Sequence, residues 1–349
     1  MRPVKQVFSP LDEQLRLWDQ HWSEQLAKHA VWLSGRGTFG EATEVLERIG
    51  QIALSDTSIW RRAKQWGEQF QALEQAQRQT ANALPARSEI ARGVPSEARK
   101  LGVAMDGAKV HVLQEGWKEL KVGCTFEIEL RATLDKASGE EVELAHAVKN
   151  TYVAHLGGPE VFGQLVWSDA QRRHWSQAHD SIVLGDGAPW VWNLAKEHFY
   201  DSRQAVDWYH AKEHLSSVAN LLHGEGSVEA KRWRSQRETT LFQGHADQIA
   251  SELRAASAQT SADSESLQRE AGYFDENQRR MQYMELREDG YPIGSGMVES
   301  GCKRFRARFN GAGMRWSRAG LERLLPVRAA IMGHRFDDLW KAAFNSPPK

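Results

Sequence analysis

Between residues 101 and 155 the apolar side chains stop recurring at helical spacing and begin to alternate, Val110 with Val112, then Phe126, Ile128 and Leu130. A period of two belongs to half-buried strands. Turn-like stretches at 114–116 and 135–140 divide the region into three runs, which predicts three consecutive strands in an antiparallel meander. From residue 160 the pattern becomes helix, strand, helix, strand: 182–184 and 205–209 read as strands, 189–198 and 213–222 as helices. A meander followed by helix-linked strands calls for a mixed sheet and an α/β fold. Residues 224–290 are polar and helical, with Phe242, Ile249 and Leu253 marking one face and Phe274, Met281 and Met284 another, around a low-complexity loop at 257–266. Strand signals do not return after it, so this stretch reads as an all-helical insertion.

Ahead of the sheet the pattern is helical. Leu11, Leu15, Trp18, Trp22, Leu26 and Leu33 make an amphipathic leading helix. Ala42, Val45, Leu46 and Ile49 form a second stripe that Gly50 breaks. Ser55 can cap a third helix carrying Ile59, Ala63, Trp66 and Phe70. The last two helices have the layout of a helix-turn-helix whose second helix would turn Thr57, Trp60, Arg61 and Arg62, together with Asp56, toward a major groove. Any αα-hairpin with a glycine in its turn shares this signal. Pro85, Gly93 and Pro95 then interrupt the helical pattern as a linker.

With 349 residues the chain exceeds one average domain. Cys124 and Cys302 lie far apart without C-x-x-C spacing, so they signal neither a zinc site nor a disulfide framework, and a reducing cytoplasm is expected. Residues 1–10 lack the apolar stretch of a signal peptide, and no segment approaches the length needed to span a bilayer. The net charge of −1 hides an asymmetry, because residues 300–349 hold eleven Lys or Arg against three Asp or Glu and so carry +8 against −9 for the rest. Lys303, Arg304, Arg306, Arg308, Arg315 and Arg318 fall within this stretch, a cluster able to neutralise phosphates. A solvated helix face is the plainer reading of a charge run.

Three acidic residues stand at telling places. Asp106 follows 103–105, Asp186 follows 182–185, and Glu299 sits one turn into a helix that a Gly-Ser-Gly loop opens at 294–296. Carboxylates at the ends of buried strands are costly unless a cation joins them. Three that converge would offer hard oxygen ligands to one or two Mg²⁺ or Mn²⁺ ions acting on phosphate esters. Asp-Gly dipeptides are also hairpin turns, but apolar runs precede both, and Pro189 with Trp190 after Asp186 marks a helix start. Asp207 and His210 are balanced between holding a strand end and supporting the site from behind, with the structural role slightly ahead. Of the fourteen tryptophans, Trp190, Trp192, Trp208 and Trp316 flank these motifs; most serve as core, and one or two could stack on an unpaired base. The 294–296 loop lacks the lysine and spacing of a phosphate-cradling loop, so no nucleotide cofactor is implied.

Asp106, Asp186 and Glu299 together resemble the catalytic triad of DDE transposases. Met105-Asp106-Gly107 followed by Gly116-Trp117-Lys118-Glu119-Leu120-Lys121-Val122-Gly123 is similar to bacterial insertion-sequence transposases of the Kra type. The segment from Tyr291 through Gly294-Ser295-Gly296-Met297-Val298-Glu299-Ser300, with Trp316-Ser317 seventeen residues after Glu299, is similar to the same group. Asp207-Trp208-Tyr209-His210 resembles the Asp-x-x-His signature of mutator-like and related transposases, and 112 residues separate Asp186 from Glu299, room for their helical insertion. Pro326 interrupts the helix after Trp316 where the family usually continues with a leucine, and no cysteine cluster precedes the core. The resemblance covers roughly residues 100–335.

The resemblance implies a ribonuclease-H-like mixed-sheet core. Residues 1–83 would then be a helical DNA-binding region with the helix-turn-helix and 84–100 a linker. Residues 101–223 would be the first part of the catalytic core, 224–290 a helical insertion, and 291–349 the final helices with the basic tail. It implies a metal-dependent transposase that binds double-stranded DNA at an element's terminal inverted repeats and joins those ends to target DNA. The implied cofactor is a pair of Mg²⁺ or Mn²⁺ ions held by Asp106, Asp186 and Glu299. A homo-oligomer at the synapse, no membrane partner and a bacterial cytoplasm complete the expectation. Two alternatives share the same residues: a ribonuclease-H-like nuclease without strand transfer, and a domesticated DNA-binding regulator.

Overall fold

The computed structural model describes residues 22–82, 99–134, 140–259 and 264–345. Leu11, Leu15 and Trp18 of the expected leading helix, and Pro85, Gly93 and Pro95 of the expected linker, lie outside them. The chain divides into two compact units, one built from Met1–Gln77, Val110–Lys118 and Phe305–Lys349, the other from Arg78–Lys109 and Glu119–Arg304.

The second unit is built on a five-stranded mixed sheet. Strand β1 (Lys100–Val112), β2 (Gly116–Leu134) and β3 (Glu141–His155) are followed by helix α4 (Pro159–Arg172), β4 (Asp180–Gly185), α5 (Pro189–His198) and β5 (Arg203–Val206). Their order across the sheet is β3-β2-β1-β4-β5. β2 and β3 run antiparallel, with a register irregularity between Thr125 and Glu127, whereas β4 is parallel to both β1 and β5. Leu101, Val103 and Met105 of β1 and Val183 of β4 join Phe162 and Val166 of α4 and Val191 and Leu194 of α5 in one buried cluster. Removing side chains of this size from water supplies roughly 1.5–3 kcal/mol each before chain entropy is counted.

β1 runs through the Asp106-Gly107 dipeptide to Val112, as the alternation of Val110 and Val112 predicts. One strand end differs from the sequence reading. β5 ends at Val206, and Trp208 and Tyr209 already form the first turn of α6 (Trp208–His223), because Asp207 accepts the N–H of His210 and caps that helix. The helical stretch resolves into α7 (Val228–Phe242), α8 (Ala246–Ser257), α9 (Ser264–Asn277) and the short α10 (Tyr283–Glu288). Ile249, Leu253, Phe274 and Met281 enter the same buried cluster as the sheet, while Met284 is exposed. Helix α11 (Gly296–Phe309) then begins at the Gly-Ser-Gly lead.

The first unit is mainly helical and takes in the end of β1 and the start of β2 at Val110–Lys118. Helix α1 (Glu24–Arg36) is capped by Ser23, and α2 (Phe39–Gly50) starts at a reciprocal capping box between Thr38 and Glu41. The Ser55 hydroxyl accepts the Ser58 N–H at the head of α3 (Asp56–Asn82). Ile59, Ala63, Trp66 and Phe70 are all buried, as their spacing predicts; of the α2 stripe, Ala42 and Leu46 are buried but Val45 and Ile49 are exposed. Helices α12 (Arg318–Met332) and α13 (Phe336–Phe344) complete the unit, with the Trp66 and Trp340 ring centroids 4.0 Å apart. Gly67 lets α3 approach α12 closely, since a Cβ there would stand 2.5 Å from the Arg323 carbonyl oxygen. α12 runs through Pro326 without a break.

Arg308 belongs to the interior of this unit. It is 2% exposed, donates to the Ser34 carbonyl at 2.8 Å and lies 4.8 Å from the Trp316 ring centroid. Burial, together with nearby Arg328, pushes its guanidinium down to about 10. Arg306, two residues earlier on α11, faces solvent. We expect Arg308→Ala to destabilise the protein by about 1–3 kcal/mol, the cost of leaving a buried acceptor unpaired, and Arg306→Ala to stay within about 0.5 kcal/mol; denaturant unfolding of the two variants measures the contrast.

Candidate functional site

The parallel register sets three aspartates abreast on three neighbouring strands, Asp186 and Asp207 just past the carboxyl ends of β4 and β5 and Asp106 level with them midway along β1. Lys100 pairs with Asp180 and Ala104 with Leu184, so two further residues bring Asp106 level with Asp186. Ile182 pairs with Arg203 and Gly185 with Val206, so one further residue brings Asp186 level with Asp207. The carboxyl ends of parallel strands are where ligands gather in open α/β sheets.

Each aspartate is held differently. The Asp106 carboxylate accepts the Gly107 N–H at 2.6 Å and also bonds the Cys302 thiol. Burial pushes its carboxyl above the ordinary value; the Gly107 and Cys302 bonds pull it back, neighbouring Asp186 adds to the rise and His210 opposes it. Asp186 accepts the Ala188 N–H at 2.9 Å through Oδ1, and its carbonyl accepts the Tyr273 hydroxyl at 3.2 Å. Asp207 is wholly buried. Its Oδ1 accepts the His210 N–H at 2.8 Å, its Oδ2 accepts the Ser295 N–H, and its own N–H donates to the Gly185 carbonyl at 2.7 Å.

The Ser295 contact brings Glu299 to this end of the sheet. Ser295 precedes α11, and its carbonyl accepts the N–H groups of Val298 and Glu299, so anchoring Ser295 on Asp207 fixes where the helix begins. Trp208 also donates its N–H to the Ile293 carbonyl at 2.9 Å. Ligand atoms of Asp207, His210 and Glu299 all lie within 4.8 Å of one another, the spacing of a group able to hold a metal ion. His210 Nδ1 also stands 3.4 Å from Glu213. A cavity of about 630 Å³ opens beside this group, lined by Trp208, Tyr209, Gly294, Gly296, Met297 and Ser300 among others.

Sequence reasoning singled out Asp106, Asp186, Asp207, His210 and Glu299, and all five belong to this unit. Among the described residues the three whose ligand atoms lie within reach of one ion are Asp207, His210 and Glu299; Asp106 and Asp186, expected to share an ion with Glu299, are not in that group. Cys302 was passed over although it lies three residues from Glu299 on one helix face, a spacing that could have flagged it. Nothing in the sequence marked Tyr273, which sits beside the apolar stripe of α9.

The surface residues divide. Thr57, Trp60 and Arg61 on α3 are exposed, whereas Arg62 is half-buried with its guanidinium 4.8 Å from the Trp22 ring centroid. Lys303, Arg304, Arg306 and Arg315 face solvent; Arg308, buried as described, leaves the solvent-facing set. Among the described residues no helix is long and apolar enough to cross a membrane. No model of a known protein family matches the chain, and comparison with the curated proteins finds no match.

The raised Asp106 carboxyl has a consequence for stability. An acid that keeps its proton to higher pH when folded than when unfolded costs the fold stability as pH climbs from the ordinary value of 3.8 through the folded one. Asp106→Asn removes that cost. The metal-free variant should therefore melt higher than the parent at neutral pH and show no gain below the ordinary carboxylate range, a difference that thermal melts at several pH values read directly.

Proposed function

We propose that the chain is a metal-dependent polynucleotidyl transferase of the DDE transposase kind, with Asp106, Asp186 and Glu299 as its metal-holding carboxylates on a ribonuclease-H-like core. The observation that carries this reading is the register that sets Asp106, Asp186 and Asp207 abreast, with α11 tied to the last of them. The donors fit a divalent cation. Carboxylate oxygens crowd one end of the sheet, and burial raises the Asp106 carboxyl beside Asp186, a burden that a cation would relieve. Oxygen-rich sets of this kind suit Mg²⁺ or Mn²⁺. When bound, such ions lower the barrier to attack on a phosphodiester by activating water and balancing charge on the leaving oxygen.

The chain's own residues supply position and charge. Asp106 is fixed by β1, Asp186 by the turn after β4, and Glu299 by the first turn of α11. Asp207 holds the helix ends that carry His210 and Glu299, and His210 lies close enough to Asp106 to steady its charge. The cavity lined by Trp208, Tyr209 and Ser300, chain neighbours of Asp207 and Glu299, would give a DNA strand room on that side of the site. Hydrolysis at an element's end would leave a 3′-hydroxyl, and that hydroxyl would then take the place of water in attacking target DNA, displacing the bridging oxygen of the attacked phosphodiester. Lys303, Arg304, Arg306 and Arg315 would neutralise backbone phosphates, and Thr57, Trp60 and Arg61 would read the element's end.

The test is cleavage of double-stranded DNA carrying the sequences that flank the gene, with Mg²⁺ present. Asp186→Asn should lower strand cleavage and joining by roughly 10²- to 10³-fold or more, the scale of losing a group that stabilises transition-state charge, while binding of the same DNA is retained. Cleavage at the parent rate by Asp186→Asn would contradict the proposal, and cleavage without joining by the parent would reduce it to a nuclease.

A further inference from the structure

The turn that carries Asp186 is gripped from the helical stretch, by residues that play no part in the carboxylate set. Tyr273 on α9 donates its hydroxyl to the Asp186 carbonyl at 3.2 Å. Its ring also fills the space over Gly187, which adopts φ +104°, and a Cβ there would come within 2.7 Å of Tyr273 Cε2. The turn therefore has both its backbone dihedral and its carbonyl direction set against one side chain. Tyr273 is itself braced. Its ring lies face to face with His214 of α6, centroids 3.6 Å apart and planes 17° from parallel. His214 Nδ1 stands 2.6 Å from Oε2 of Glu270, a residue only 7% exposed and three positions before Tyr273 on α9. His214 lies one turn beyond His210, so the helix capped by Asp207 carries the other end of the brace.

We propose that Tyr273, held by the His214–Glu270 pair, is a positioning residue for Asp186. It fixes the main chain at Asp186 and Gly187 while the Ala188 N–H fixes the carboxylate itself, so that the carboxylate meets a divalent cation without first having to order its turn. The aspartate must stand within a few tenths of an ångström of its place to ligate well, and a glycine follows it, so an unbraced turn would wander. The brace also links α9 to the sheet's carboxyl ends. This rests on the reading of Asp186 as a metal ligand, and the test separates the two.

Mn²⁺ binding to the full chain, followed by electron paramagnetic resonance of free Mn²⁺, is measured for the parent, Asp186→Asn, Tyr273→Phe and Glu270→Gln. Tyr273→Phe keeps the ring and removes only the hydroxyl. It should raise the Mn²⁺ midpoint about 10-fold, at the low end of the roughly 10- to 100-fold that outer contacts around metal ligands contribute, without changing DNA affinity or the metal-free melting temperature. Glu270→Gln, which keeps its shape, should move the midpoint in the same direction by less. If Asp186→Asn weakens Mn²⁺ binding while Tyr273→Phe and Glu270→Gln bind like the parent, the brace is only structural and the positioning role is overturned. If Asp186→Asn itself binds Mn²⁺ like the parent, the metal reading fails first and takes the positioning role with it.

Discussion

The buried carboxylate of Asp207 is the joint on which the site's geometry depends. It is wholly enclosed, and a carboxylate so placed is tolerable only where donors meet it. Two backbone N–H groups do so, that of His210 at the start of α6 and that of Ser295 just ahead of α11. Both lie at helix beginnings, where unpaired N–H groups and the helix dipole favour an anion. One side chain thereby holds together two helices whose starts are nearly ninety residues apart in sequence, a separation that contact between apolar faces alone would not register so finely. With those starts fixed, His210 and Glu299 stand within 4.8 Å of the same carboxylate.

The sheet supplies the other half of the geometry. Parallel pairing of β4 with both neighbours carries Asp106, Asp186 and Asp207 to one row without any side-chain contact among them having to specify it. Asp106 bears the strain of that arrangement, its carboxyl raised by burial and by Asp186. Local stability is given up at this carboxyl, a pattern common at sites built for charge, and under the proposed function a cation would offset that cost. The bracing of the Asp186 turn by Tyr273 has the same character, since it holds a glycine-containing turn that would otherwise be free to move.

Much of this was legible in the sequence. The change of period near residue 101 marks the strands, the stripe from Ile59 to Phe70 marks a helix buried on that face, and Asp106 and Asp186 could be picked out from their places after apolar runs and Glu299 from the Gly-Ser-Gly loop ahead of its helix. What stayed hidden has physical causes. The strand expected at 205–209 and the helix that begins at Trp208 compete for the same apolar letters, and only the capping bond from Asp207 decides between them. Arg308 reads as one more basic residue in a charged run, yet its guanidinium lies over the rings of Phe39, Phe309 and Trp316, an outcome set by distant parts of the chain. Tyr273 and Glu270 fall on a helix face whose neighbours no local pattern announces.

The central claim is that Asp106, Asp186 and Glu299 hold divalent cations together. A crystal structure of the protein with its own DNA and Mn²⁺, with the metal located by anomalous scattering, tests it most directly. The account predicts anomalous peaks within ligand distance of Asp106 and Asp186, about 3.5–4 Å apart if two ions bind, with Glu299 completing the set. Mn²⁺ held by His210 and Glu299 away from both Asp106 and Asp186, or Glu299 turned to solvent in the DNA-bound, metal-loaded protein, would contradict it.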